Sequence, residues 1–232
     1  IRQGGSANFT GTAALDLSGL GSFTVAARQL LVAGDGTNGD PIRDRPSASL
    51  KLARNNFITL HGPSYPPALT VGFNIGNTPN GAALTLGQTN YIFSDAGMGV
   101  GMNRIQASVA FGAFPKALAV FRDRAGTGRQ DRWLIGDAMN TGYSGVTNAG
   151  VVDFSGGTVD ARVGLVVVGR GINDTRGNAT GGTAGTLTLN AGTLDVNTLV
   201  VGYQMNSNSS RVVGTVNVDG AARLQVNNTI QL

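Results

Sequence analysis

"GTLTLNAGTLDVNTLVVG" occupies residues 185–202. Valine or leucine falls at 187, 189, 194, 196, 199 and 201, with threonine, aspartate or asparagine between them and glycines breaking the run. Alternation with a period of two puts successive side chains on opposite faces of a strand. The stretch therefore reads as three very short strands joined by tight turns, each too short to be stable as a sheet by itself. A partner must lie elsewhere in the chain.

The pattern recurs. An apolar–polar–apolar triplet like Leu187-Thr188-Leu189 begins at Leu15, Leu50, Leu84, Leu118, Val152 and Val216, so the steps are 35, 34, 34, 34, 35 and 29 residues. A second triplet follows as Phe23-Thr24-Val25, Ile58-Thr59-Leu60, Tyr91-Ile92-Phe93, Val159-Asp160-Ala161, Leu194-Asp195-Val196 and Leu224-Gln225-Val226. The fourth repeat departs from it with "FRDRAGTGRQDR" (121–132). A third element closes each unit: "LVAG" (31–34), "LTVG" (69–72), "GVG" (99–101), "WLIG" (133–136), "VVVG" (166–169) and "LVVG" (199–202).

A fixed period of this size marks a repeat architecture, in which each unit buries its apolar face only by stacking on the next. The expected fold is all-β: a three-sided, single-stranded parallel β-helix, right-handed by the usual crossover rule. About seven coils of ~34 residues, stacked at ~4.8 Å, would make a rod core roughly 30–35 Å long. Residues 15–232 form the solenoid in this reading, and residues 1–14 a cap or an exchanged strand. Polar stretches rich in Gly, Asn, Asp and Ser follow the closing glycines, such as "DGTNGDPIRDRPSAS" (35–49) and "RGINDTRGNATGGTAGT" (170–186). They are expected to leave one corner of the solenoid as loops, the natural place for recognition.

Composition agrees. Of 232 residues, 41% are hydrophobic and 13% charged, 36 are glycine, none is glutamate, and two lysines stand against fifteen arginines. Scarce Glu and Lys removes much of the helix-forming vocabulary, while Val and Thr favour strands. No cysteine is present, so disulfides and thiolate metal sites are excluded. No apolar run approaches the ~20 residues of a membrane span. The chain opens on Ile1 without an initiator methionine or signal peptide, the expectation for a portion of something longer. The net charge of +4 is spread over single basic residues without a nucleic-acid-binding motif, so no nucleic-acid partner is expected.

Groups with chemical potential are few. Arg122, Asp123, Arg124, Arg129, Asp131 and Arg132 cluster in the departing repeat. If the chain were a carbohydrate-active enzyme, a lyase or hydrolase on acidic polysaccharide, Arg122, Asp123, Arg124 and Asp131 would be its catalytic candidates, joined by Asp40 and Asp44. The plainer reading is a solvated loop of ion pairs. Asp35, Asn38, Asp40 and Asp44 crowd one loop with oxygen donors suited to Ca²⁺, without matching an EF-hand. No other cofactor is expected. His61 is the only histidine, which removes two-histidine metal sites. Asp16, Asp153, Asp160 and Asp195 take the polar middle of triplets, and a stacked Asp160/Asp195 pair would be a further cation site. Phe73, Met102 and Tyr203 follow closing glycines and form either a patch at the loop corner or packing beneath the loops. The aromatics Tyr65, Tyr91, Tyr143, Tyr203 and Trp133 share no repeat position, which argues against a glycan-binding row.

Units such as "NAGVVDFSGGTVDARVGLVVVGRG" and "GTLTLNAGTLDVNTLVVGYQ" resemble the β-strand repeats of bacterial autotransporter passengers. They are similar also to large Gly/Thr/Asn-rich secreted β-helix proteins of bacteria. The likeness spans roughly residues 15–232 and implies a secreted or surface-displayed adhesin, matrix or filament component, with no catalytic residues to carry over. Self-association through open strand edges is the corresponding expectation. Ile1, Asn8 and Phe9 at one end, and Thr229, Ile230 and Leu232 at the other, are the candidates. A glycan or other cell-surface ligand is the expected outside partner.

Overall fold

The computed structural model describes residues 12–34, 47–74, 81–139, 148–173, 181–205 and 211–232. They form an all-β parallel solenoid built from three ladders, and no helix occurs among them. The first ladder stacks β1 (Thr12–Asp16), β4 (Ser47–Lys51), β7 (Gly81–Leu86) and β10 (Gln106–Phe111). The second stacks β2 (Ser22–Ala27), β5 (Asn55–Leu60), β8 (Thr89–Ser94) and β11 (Ala117–Arg122). The third stacks β3 (Leu30–Gly34), β6 (Leu69–Asn74), β9 (Gly97–Asn103) and β12 (Gln130–Asp137). Three long strands then run through all three ladders in turn: β13 (Asn148–Arg170), β14 (Gly182–Tyr203) and β15 (Arg211–Gln231).

Side-chain columns make the core. Leu15, Leu50, Leu84, Val109, Val152, Leu187 and Val216 stand over one another in the first ladder. Val25, Ile58, Ile92, Phe121, Ala161, Leu194 and Leu224 do so in the second, and Val32, Val71, Val100, Ile135, Val168 and Val201 in the third. Away from the ends these residues are buried. At ~1.5–3 kcal/mol for each large aliphatic side chain taken from water, the columns are the main source of stability. Midway along the rod, Phe121, Trp133 and Phe154 fill the interior, with ring centroids 5.0–6.1 Å apart. The indole N–H of Trp133 donates to Gln130 Oε1 at 2.7 Å, and the Gln130 amide donates to the carbonyls of Ile92 and Arg122. The polar groups buried with the tryptophan are thereby satisfied.

The first-ladder column corrects the constant period. Its steps are 35, 34, 25, 43, 35 and 29 residues, because Val109 and not Leu118 follows Leu84. Only Arg104 and Ile105 join β9 to β10, where the other units have longer connecting segments. Leu118 belongs to the second ladder, beside Thr89 and Thr158. The fourth repeat therefore has its second strand, β11, and the arginine-rich segment lies between the second and third ladders. Two triplets also shift. Val25, not Phe23, pairs with Ile58, and Ile92 points inward while Tyr91 and Phe93 face out.

One corner imposes a strict size limit. The residue after the third-ladder column turns with positive φ: 54° at Ala33, 75° at Gly72, 63° at Gly101 and Gly136, 74° at Gly169 and 69° at Gly202. It was Ala33, not the expected Gly34, that takes this place in the first unit. In the sequence, residues 35–46, 75–80, 140–147 and 174–180 separate this turn from the first-ladder strand that follows. The facing first-ladder position is equally small: Ala13, Ala48, Ala82, Ala107, Gly150, Gly185 and Gly214. A Cβ on Gly136 would come 2.0 Å from the Ala184 carbonyl oxygen, and one on Gly185 would come 2.2 Å from the Gly169 nitrogen. Both obstacles are backbone. Substituting Gly185→Ala should cost ~1–3 kcal/mol through overpacking, which lowers the melting midpoint by roughly 2–4 °C per kcal/mol in a chain of this size. Gly182→Ala, whose Cβ would meet only the Arg211 oxygen at 3.7 Å, should leave the midpoint within about 2 °C. A thermal melt followed by circular dichroism checks both.

Candidate functional site

The arginine-rich segment forms a charged spine where the second ladder turns into the third. β11 ends at Arg122, which is 7% exposed, and its guanidinium crosses to the strand below. Nη1 donates to the carbonyls of Phe121 and Asp160 at 2.8 Å each, and Nη2 pairs with Asp160 Oδ2 at 2.6 Å. Asp123 closes the turn that follows: its Oδ1 accepts the backbone N–H groups of Thr127 and Gly128 at 3.0 and 2.8 Å. This is the usual use of an aspartate that hydrogen-bonds its own turn. Arg124 meets Asp95 at 3.6 Å with both side chains more than half exposed, and its N–H donates to Asp95 Oδ1. Asp131 pairs with its neighbour Arg132 at 2.7 Å.

Arg129 reaches past a coil. It donates to the Asp195 carbonyl and to Asp195 Oδ2, both at 2.7 Å, although 66 residues separate them. Asn227 holds the other carboxylate oxygen at 2.7 Å, and Arg162 donates to the Thr127 carbonyl at 2.9 Å. The spine thus links Asp95 on one side to Asn227 on the other through Arg122, Arg124, Arg129 and Asp195. Burial works to raise the Asp195 carboxyl, but the hydrogen bonds from Asn227 and Arg129 and the charges of Arg129 and Arg162 hold it below the ordinary aspartate range. At the first coil, hydrogen bonds from the Ser18 side chain and backbone, then from Lys51, take Asp16 to about 2.

The four catalytic candidates are brought into one segment, yet each is engaged in holding the chain: Arg122 staples coils, Asp123 shapes a turn, and Arg124 and Asp131 make surface pairs. Asp160 does not stack on Asp195. The register sets Asp160 beside Thr193 and Arg162 beside Asp195, so opposite charges alternate there. Asp153 accepts the Ser155 N–H. The Ca²⁺ candidates Asp35, Asn38, Asp40 and Asp44, with Ile1, Asn8 and Phe9, lie outside the described residues. Among the described residues no group of three or more His, Asp, Cys or Glu is placed to share an ion. His61 is exposed on the turn after β5. Thr229, Ile230 and Leu232 lie on the outermost strand, with Ile230 59% and Leu232 92% exposed.

A second ionic feature was not visible in the sequence. Phe73, Met102, Asp137, Arg170 and Tyr203 form one outward column of the third ladder. Phe73 and Met102 are buried, and Tyr203 is exposed at the end. Between them the fully buried Asp137 takes a two-pronged contact from Arg170, at 2.8 and 2.5 Å. The spacing of 33 residues gave the only hint. An open hollow of about 290 Å³ lies on the first ladder between Gly81, Gln106, Ser108 and Val151, and shares no residue with the charged spine.

Together the three ladders, the glycine corner and the spine define a parallel β-solenoid. No family model matches the chain, and neither does any curated protein or solved structure.

The geometry separates two kinds of arginine. Arg122→Ala strips buried carbonyls of a charged donor and should destabilise by about 2–3 kcal/mol, while Arg124→Ala should cost about 0.5 kcal/mol or less. Denaturation of both variants checks this. Because the folded Asp195 carboxyl is depressed, its contribution is present above the unfolded value of ~3.9 and is lost as pH falls through the folded one. Asp195→Asn should therefore lower the melting point at pH 7 and narrow the difference between pH 7 and pH 3.

Proposed function

We propose that this chain is a structural and adhesive β-solenoid element of the bacterial cell exterior, a rod that associates with further coils to build a surface fibre or matrix. The supporting observation is the stacking itself: β13, β14 and β15 each run through all three ladders and extend the same inward columns in parallel register. β15 pairs with β14 along its whole length, and among the described residues nothing pairs with its other edge. Val218, Ile230 and Leu232 stay exposed there, at 41, 59 and 92%. A further coil stacked on such a ladder, from this chain or from another copy, pairs its edge groups and extends its aliphatic columns. The Gly/Thr/Asn-rich repeats, similar to those of autotransporter passengers and secreted bacterial β-helix proteins, support the exterior setting. The engagement of the arginine and aspartate cluster in cross-coil contacts supports a mechanical role for it.

Light scattering across a concentration series, with electron microscopy of the same samples, tests the reading. Concentration-dependent growth into rods longer than one chain is expected. Lysines at the edge, Val218→Lys with Ile230→Lys, should abolish growth at unchanged circular dichroism, since both positions are exposed and charge blocks edge pairing. A compact monomer at every concentration would overturn the self-association.

A further inference from the structure

The outer face of the second ladder carries an aromatic stack. Phe57 and Tyr91 occupy successive places in one column, with ring centroids 5.1 Å apart and planes within 12°. Phe93, two residues along β8, lies 6.2 Å from Tyr91. Rings stacked along the rod cover each other's faces, so Tyr91 occupies one face of Phe57. The next place on the other side of Phe57 is Thr24, whose side chain is too short to cover a ring. Phe57 accordingly stays 47% exposed. Beside it Ser22, Thr24 and Ala26 are all exposed along β2, and Thr59 faces the same way. The result is an aromatic face standing over a narrow ledge that carries hydroxyl groups.

The ledge bears no charge, whereas the same face further along the rod carries Asp160, Arg162 and Asp195. The group that suits it is flat, rich in C–H on one side, ringed by hydroxyls and neutral. C–H groups carry a slight positive charge and meet the negative face of an aromatic quadrupole. A pyranose ring has this form, with its C–H side for Phe57 and its rim for the hydroxyls of Thr24, Ser22 and Thr59. We infer that the Phe57 face and the Ser22–Ala26 ledge bind a pyranose unit of a neutral polysaccharide, the sugar extending the Phe57–Tyr91 stack by one step. This rests on the adhesive reading above and gives that adhesion a ligand class. It also differs from the acidic polysaccharide of the enzyme reading: the exposed Arg28 stands just past the end of β2, while Ser22, Thr24, Ala26, Phe57 and Thr59, the residues facing the ring, carry no charge.

Saturation-transfer NMR on the 232-residue chain tests it with three probes: β-1,4-linked glucose hexasaccharide, β-1,4-linked N-acetylglucosamine hexasaccharide, and polygalacturonate as the acidic comparison. Signal transfer to at least one neutral hexasaccharide, stronger than to polygalacturonate, is expected. Phe57→Ala should weaken binding about tenfold or more, by analogy with the loss of one ring-stacking contact. Phe57→Leu keeps a strand-compatible apolar side chain against Tyr91 but removes the ring, so it should abolish transfer while the melting point holds. Transfer to neither neutral probe, preference for polygalacturonate, or undiminished binding by Phe57→Leu would overturn the inference. Light scattering on the same samples separates the two proposals. Assembly without sugar binding removes only this one, and loss of assembly in Phe57→Leu with no sugar bound would assign the ledge to a second copy of the chain.

Discussion

At the corner between the third and first ladders, backbone meets backbone, and nearly everything else in the rod is arranged around that contact. Gly136 approaches the Ala184 carbonyl so closely that an added Cβ would sit 2.0 Å away, and Gly185 is wedged against the Gly169 nitrogen. A parallel coil must return to its starting ladder one rung higher, and here it does so through a left-handed residue whose partner below has no side chain or only a methyl. Glycine meets both demands at once, since it accepts positive φ and presents no Cβ. Ala33 and Gly72 show the looser version, where the facing column is Ala13, Ala48, Ala82 and Ala107.

With the corner fixed, register follows, and the long-range ion pairs depend on register alone. Arg122 reaches Asp160, and Arg129 reaches Asp195, because the ladders bring residues 38 and 66 positions apart to one edge. These contacts bridge coils that each bury too little surface to stand alone. The depressed Asp195 carboxyl links this stapling to proton activity, since protonating it removes the charge that Arg129 holds.

Much of the architecture was legible because an aliphatic column one residue wide leaves a simple mark. Leu187, Val152 and Leu84 could be aligned by eye, and the glycines after them marked the turn. The misplacement of Leu118 has a plain cause. A coil shortened to 25 residues, followed by a strand nine residues on, imitates one period of 34, and Val109-Ala110-Phe111 lacks the polar middle residue that marks the other first-ladder triplets. Tyr91-Ile92-Phe93 is apolar throughout, so alternation could not say which side faced in. The catalytic candidates were found by residue type, but their roles could not be, since the partners of Arg122 and Arg129 lie in other coils at positions only the register fixes. Asp137 and Arg170 were passed over for the same reason, separated by one coil and embedded among apolar residues.

A solenoid of this kind assigns labour by direction. Inward columns are apolar in every coil and, away from the ends, closed to solvent, so any partner meets the outward positions, where the columns change chemistry along the axis. The second ladder makes that change plainly: Thr24, Phe57, Tyr91, Val120, Asp160 and Thr193 succeed one another in a single file. Hydroxyl, aromatic, aliphatic and ionic surfaces thus follow at ~4.8 Å intervals, a spacing set by hydrogen bonds that no side chain can alter. Substitutions there change what the rod touches at little cost to how it folds, whereas the glycine corner permits almost none. The same sequence can therefore be rigid in its repeat and free in its surface, and the surface is where this protein's specificity must be written.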